Sequence, residues 1–149
     1  MKYTHLAAAT VALGALFTSA ASFAQMSPVG TWRSIDEKTN EAKSEIQITD
    51  QAGVLTGKIT KLLRKDAKQD MVCDECKDDR KGKPVIGLDI IRGAKKAEGK
   101  AVWEDGKILD PESGSTYSLR LTPIENGAKL EVRGSVAFIS RTQTWVRVQ

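Results

Sequence analysis

Polar and apolar residues alternate with a period of two along most of the chain, and the alternating runs are separated by short breaks rich in Gly, Asn and Asp. Residues 43–49, which read KSEIQIT, show the pattern most clearly, and the break DQAG follows at 50–53. Similar runs begin near residues 31, 55, 86, 101, 117, 130 and 141. No sustained 3.6-residue stripe appears beyond residue 24. The pattern predicts an antiparallel all-β meander.

The number and spacing of the runs predict about eight strands. Eight antiparallel strands in a domain of this size suit a closed up-and-down β-barrel, which also removes exposed sheet edges. A two-sheet sandwich is the competing architecture. Closure is favoured because short turns join successive strands, except for one long loop between the third and fourth. Residues 86–90 are predicted as a strand ending at Arg92-Gly93, 104–106 as a turn, and 135–140 as either a helical turn or a bulged connection.

The first 24 residues have the organisation of a secretory signal. Lys2 is followed by an apolar run over residues 6–17 and by the small-x-small sequence Ser22-Phe23-Ala24. The run is shorter than the roughly 20 apolar residues of a transmembrane helix. We therefore expect cleavage before Gln25, a single domain over residues 25–149, and a periplasmic or secreted protein with no integral membrane segment after cleavage.

Charge and histidine content narrow the function classes. The formal net charge is +4, and the basic residues are spread along the chain rather than massed in one tract, so no nucleic-acid partner is predicted. The single histidine, His5, lies in the predicted signal. Without His, a mature chain lacks the commonest general base and metal ligand. We predict no catalytic residues, no metal and no cofactor.

The two cysteines, Cys73 and Cys76, stand in the sequence CDECKDDRKGKP. This spacing occurs in redox centres, in half-sites for metals and in structural disulfides. Asp74 and Glu75 lie between the thiols and disfavour the thiolate that a redox centre needs. A zinc site would need two further ligands, with only carboxylates to supply them. In an oxidising compartment, a local structural disulfide is the preferred interpretation.

The motif Gly30-Thr31-Trp32 opens the first predicted strand. It resembles the Gly-x-Trp motif of lipocalins and related calycin barrels. The resemblance implies that Trp32 plugs the closed end of the barrel and that an arginine of the last strand packs across the indole by cation–π contact. Arg147 and Arg141 are the two candidates for that arginine, and Arg147 is preferred.

A longer series of motifs resembles the exported bacterial family catalogued as domain of unknown function 2147. The resemblance implies a small calycin-like barrel exported to the periplasm or beyond, and it implies no known reaction. It covers nearly the whole chain after residue 24 and rests on Gly-x-Trp, the Cys-x-x-Cys loop, Lys83-Pro84-x-x-Gly87-Leu88, Gly106-Lys107-Ile108-Leu109-Asp110-Pro111-x-x-Gly114-x-x-Tyr117, Arg133-Gly134 and Arg141-Thr142-Gln143-Thr144-Trp145.

Three functions are compatible with this organisation. The leading hypothesis is a binding module that holds a lipid-like small molecule in the barrel. Trp103 and Tyr117 would line the cavity, and Arg133 or Arg141 would pair with a ligand carboxylate. The second is an envelope interaction module with a filled barrel and an exposed apolar patch. The third is an enzyme acting on envelope lipids or glycans, which would need Asp89 or Glu104 to face another carboxylate in a pocket.

Overall fold

The computed structural model describes residues 26–148, which form a closed barrel of eight antiparallel strands in chain order. The predicted up-and-down barrel is confirmed, and the sandwich is excluded. The predicted signal and its cleavage site lie outside the described residues. The strands are β1 Gly30–Ile35, β2 Ala42–Gln51, β3 Val54–Leu62, β4 Asp89–Lys96, β5 Trp103–Asp110, β6 Ser115–Ile124, β7 Lys129–Val136 and β8 Ile139–Arg147.

The meander gives the barrel two ends with different connections. At the end we call closed, the chain enters β1, and the links are residues 52–53, 97–102 and 125–128, the last containing a 3-10 turn. At the opposite end, which we call open, the links are residues 36–41, 63–88, 111–114 and 137–138. The longest of these, residues 63–88, carries both cysteines and is called the cysteine loop. Most of the residues in these connections therefore lie at the open end.

Side chains fill the barrel interior from the closed end through its middle. The inward-facing large residues there are almost completely buried, and they include Trp32, Ile46, Leu55, Ile91, Leu121 and Leu130. A Cβ added at Gly106 would lie 2.7 Å from the backbone nitrogen of Ala94, so no side chain fits at that position. Inward-facing positions near the open end, such as Ile108 and Tyr117, keep contact with solvent. The interior is a packed core with a shallow opening.

Two strand predictions were wrong for a shared physical reason. β4 starts at Asp89 and continues through Gly93, where φ is 80°, to Lys96. β5 continues through the predicted turn at residues 104–106, although Asp105 has a φ of 64°. A single residue with positive φ inside a paired strand makes a bulge that bends the strand without reversing it. At Gly93 and at Asp105, residues that are typical of turns therefore form bulges within a continuous strand.

The segment 135–140, which the sequence left open, is a tight β-hairpin. Val136 pairs with Ile139, so that Ala137 and Phe138 form a two-residue turn between β7 and β8. Ala137 has a φ of 49°, which is the positive φ that such turns require at their first central position. Neither a helical turn nor a bulged connection is present in this segment.

Candidate functional site

The closed end is sealed by Trp32 and Arg147. The guanidinium carbon of Arg147 lies 4.1 Å from the centroid of the Trp32 ring. The guanidinium also donates hydrogen bonds of 2.6–2.9 Å to the backbone oxygens of Ser27, Val29 and Gly127. Burial lowers the pKa of Arg147 from its ordinary value, but an arginine remains protonated at neutral pH. Of the two predicted arginines, Arg147 therefore takes the position over the indole.

Trp103 and Tyr117, both predicted to line a cavity, lie near opposite ends of the barrel. Trp103 on β5 pairs with Leu121 on β6. Tyr117 also lies on β6, four residues or about 13 Å from Leu121. Trp103 is only 8% exposed and lies beside the ammonium of Lys96, 5.7 Å from the ring centroid. It belongs to the packed core near the closed end, whereas Tyr117 lies near the open end.

Arg133 and Arg141, the predicted partners of a ligand carboxylate, lie on different faces of the sheet. Arg133 follows the buried Val132 on β7 and is exposed on the outer face, where it donates to Ser140 Oγ at 2.9 Å. Arg141 has the inward parity of Trp145 on β8 and reaches Glu37 Oε2 at 2.9 Å at the open end. Because side chains alternate along a strand, the structure brings only Tyr117 and Arg141 to the same end.

An open depression of about 520 Å³ lies at the rim of the open end, between the cysteine loop and the two neighbouring hairpins. We call it the rim groove. Its lining residues are Lys77, Asp78, Leu109, Gly114, Ser115, Thr116, Tyr117 and Val136. Tyr117 is the only one of them that the sequence assigned to a ligand site. The others were missed because alternation does not show where a long loop folds back onto a barrel.

The cysteine loop packs against the β5–β6 hairpin and forms one wall of the rim groove. Cys73 and Cys76 are joined in the predicted disulfide and are almost completely buried. A Cβ added at Gly114 would overlap the backbone oxygen of Glu75, so the loop backbone touches the hairpin at that glycine. The loop can approach the hairpin this closely only because residue 114 has no side chain.

A buried arginine ties the loop to the barrel. Arg80 is 5% exposed, donates to Asp78 Oδ2 at 2.6 Å and reaches the backbone oxygen of Asp89 at 2.7 Å. These hydrogen bonds from Arg80 hold the pKa of Asp78 far below its ordinary value. A second pair joins Arg92 to Asp79 through two bonds of 2.9 and 3.0 Å, which lowers the pKa of Asp79 and raises that of Arg92. The bond from Arg80 to the Asp89 backbone oxygen and the Arg92–Asp79 pair fix the loop next to β4.

Removing the disulfide with the double substitution Cys73→Ser and Cys76→Ser is expected to lower the free energy of unfolding by about 2 kcal/mol, the value for a very short closed loop. Urea denaturation of both proteins measures the difference. Because both sulfurs are buried, dithiothreitol is expected to reduce the bond slowly in the native protein and rapidly in urea. Equal reduction rates under the two conditions would instead indicate an accessible, redox-active pair.

The carboxylates considered for catalysis lie in ion pairs. Asp89 is 3.7 Å from both Lys58 and Arg92, and Glu104 Oε2 is 3.1 Å from Arg120. Glu104 lines a second shallow depression, on the outer face of β5 to β7, which also contains Asp105, Lys107, Arg120 and Arg133. Within residues 26–148, no group of three potential metal ligands occurs. The two depressions differ, because the outer one is lined mainly by charged and polar groups.

Most of the chain matches one family of bacterial proteins. Residues 30–147 match the family described as an uncharacterized protein conserved in bacteria, DUF2147. The chain belongs to this family. No curated protein matches it. Among solved structures, the DUF2147 chain is similar to protein HP1028 from Helicobacter pylori, which is described as belonging to the lipocalin family, with 17% identity and a TM-score of 0.68 over 81% of this chain and 82% of that one. At this identity, the likeness shows a lipocalin-like fold.

In the part of the DUF2147 chain that the structure describes, no helix has the length and apolar character needed to cross a bilayer.

Proposed function

We propose that this DUF2147 protein is an exported, non-enzymatic binding module that takes a lipid-like, amphipathic small molecule at the open end of its barrel. The observation that carries the proposal is the rim groove, which places a lysine and apolar side chains around one open depression of about 520 Å³. Export is supported by the disulfide, since such bonds persist in oxidising compartments. A non-enzymatic role is part of the proposal: Glu104 shares the outer depression with Asp105, but its carboxylate is paired with Arg120 at 3.1 Å.

The proposed ligand site is the rim rather than the deep interior, because side chains already fill the barrel as far as its middle. An acyl chain would lie in the rim groove, where Tyr117 and Val136 are the apolar side chains that keep contact with solvent. Lys77 also lines the groove and is exposed. It is better placed for an anionic head group than Arg141, which already contacts Glu37. The groove thus offers the apolar body and polar handle of a small-molecule site.

A titration with dodecanoate, followed by NMR chemical shifts of the backbone amides, tests this proposal. We expect shifts concentrated at residues 77, 109, 117 and 136. Lys77→Glu is expected to weaken binding by about fivefold or more, because it reverses the charge that faces the carboxylate. Lys100→Glu is the matched control, since Lys100 is exposed in a closed-end link. Equal affinities of the two variants, or shifts spread over the whole surface, would contradict the proposal.

Tryptophan fluorescence would be a poor reporter in that titration. Trp32, Trp103 and Trp145 are all at most 8% exposed and lie towards the closed end or in the core. A ligand in the rim groove would touch none of them. Tyr117 is the only aromatic residue that lines the groove, so the amide shifts are the more direct measurement.

The second candidate function is an interaction module with a filled barrel and no enclosed cargo. The exposed Phe138 and Ile139 at the open end are the apolar patch that this function requires, although residues 136–139 are few for a stable protein interface.

A further inference from the structure

The turn between β7 and β8 presents apolar side chains directly to solvent. Phe138 is fully exposed, Ile139 is 73% exposed and Val136 is 49% exposed. Together with Ala137 they form residues 136–139, which we call the apolar tip. The tip stands at the open end, next to the rim groove that Val136 also lines. Large apolar groups exposed together at one place on a surface mark contact sites, whereas scattered single ones do not.

Polar and then basic residues follow the apolar tip along the hairpin. Ser135 pairs with Ser140 directly behind it, and Arg141 follows on β8, with Arg133 on β7. At about 3.3 Å per residue, these arginines lie roughly 7–10 Å behind the tip. Arg141 is paired with Glu37, whereas Arg133 contacts only the Ser140 hydroxyl among the described residues. The hairpin therefore has an apolar end, then a pair of serines, and then the exposed cation of Arg133 and the Arg141–Glu37 ion pair.

This layering matches the cross-section of a bilayer surface. Interfacial protein segments bury their apolar groups about 5–10 Å into the boundary between head groups and acyl chains. At that depth Arg133 would lie at the level of the lipid phosphates, with which a guanidinium forms strong paired hydrogen bonds. Arg133 is exposed and bonded only to a serine hydroxyl in the described structure, so it can turn toward a phosphate at little cost.

The size of the apolar tip also favours a bilayer over a protein partner. A stable protein–protein interface takes about 20–30 residues from each side. The tip has four residues, and the hairpin positions directly behind it are Gly134, Ser135, Ser140 and Arg141. A bilayer accepts a few apolar side chains without needing a complementary surface.

We propose that the apolar tip docks the open end of the barrel onto an anionic lipid bilayer, with Phe138 and Ile139 entering the acyl boundary and Arg133 contacting lipid phosphate. The inference rests on the hairpin alone and does not depend on a ligand in the rim groove. Docking in this orientation would bring the rim groove to the membrane surface.

Vesicle flotation of residues 25–149 tests the docking. The vesicles are phosphatidylethanolamine and phosphatidylglycerol at 3:1, with pure phosphatidylcholine for comparison. Phe138→Ser combined with Ile139→Ser is expected to lower the partition coefficient roughly tenfold or more, because two large apolar side chains are removed. The control is Val146→Thr, which removes an apolar group that is 40% exposed near the closed end. Arg133→Gln should weaken binding to the anionic vesicles and leave binding to phosphatidylcholine unchanged.

A tryptophan at the tip gives a second readout. In Phe138→Trp, the new indole is expected to shift its emission to the blue when the anionic vesicles are added, while the three buried native tryptophans stay constant. Flotation without this shift would mean that another face touches the lipid, and the proposal would fail. It would also fail if the double serine variant floated as well as Val146→Thr.

Self-association is the competing use of the apolar tip. Analytical ultracentrifugation of the native protein and of the double serine variant distinguishes the two uses. If the native protein is a dimer that dissociates in the variant, and neither binds vesicles, the partner of the tip is a second copy of the chain and the membrane proposal fails. Circular dichroism verifies that the variants fold, which we expect because Phe138 makes no buried contact. The groove proposal is separable, because dodecanoate shifts near Lys77 should persist in the double serine variant even if docking is absent.

Discussion

Gly114→Ala is expected to lower the free energy of unfolding by about 3 kcal/mol, a large cost for one added methyl group. The new Cβ would overlap the backbone oxygen of Glu75 and stand 3.0 Å from the backbone nitrogen of Cys76. Both atoms belong to the backbone of a loop held by a disulfide, so they cannot rotate away. In addition, φ at Gly114 is +68°, which is unfavourable for alanine. Urea denaturation measures the loss.

Gly99→Ala is the matched control for this substitution. Gly99 has a φ of +67°, and nothing lies within 4 Å of the position that an added Cβ would take. It should show only the cost of the positive φ, about 1 kcal/mol. The excess in Gly114→Ala then measures the contact between hairpin and loop. Equal losses in the two variants would mean that the cysteine loop is not seated on the β5–β6 hairpin.

The same substitution should also affect the cysteine loop locally. If the added methyl group lifts the loop from the hairpin, trypsin should cut next to Arg80 faster in Gly114→Ala than in Gly99→Ala, because Arg80 is only 5% exposed in the intact loop. The rim groove, which Gly114 lines together with Lys77, should change shape as well.

The barrel was predictable from sequence because its strands and their order follow from short stretches of the chain. Alternation at residues 43–49 states which face of β2 is buried, and each short turn joins neighbouring strands, so the order of the sheet follows the order of the chain. The errors arose at Gly93 and Asp105, where the same residue types serve turns and bulges. A single sequence does not distinguish the two, because the difference lies in whether the partner strand continues.

The candidate site was less predictable because it depends on distant contacts. Trp103 and Tyr117 both face inward, yet the meander sends them to different ends. Arg133 pairs with Thr142, and Arg141 pairs with Gly134, so the two arginines are one position out of register and project from opposite faces of the sheet. Their residue types suggested that these four side chains bind one ligand. The direction of the strands and the alternation of side chains put them at different ends and on different faces of the barrel. The contact of Gly114 with the cysteine loop joins segments almost 40 residues apart in the chain, and no local pattern encodes it.

Arg147→Met is expected to destabilise the protein by about 3 kcal/mol, because charge-assisted hydrogen bonds are lost and backbone oxygens are left with poorer partners. The methionine keeps the apolar stem against Trp32 and removes the guanidinium, which donates to the oxygens of Ser27, Val29 and Gly127. These bonds join the entry into β1, the β6–β7 link and the end of β8. Thermal and urea denaturation measure the change.

Arg141→Met is the control on the same strand. Arg141 also faces the inner side of β8, but its ion pair with Glu37 is exposed, so the loss should stay below about 1 kcal/mol. Arg147→Lys should recover only part of the stability, because one ammonium group cannot stack on Trp32 and reach three separate carbonyls as a planar guanidinium does. If Arg147→Met were as mild as Arg141→Met, the cation over Trp32 would be an incidental contact, and the closed end would depend on apolar packing around the indole alone.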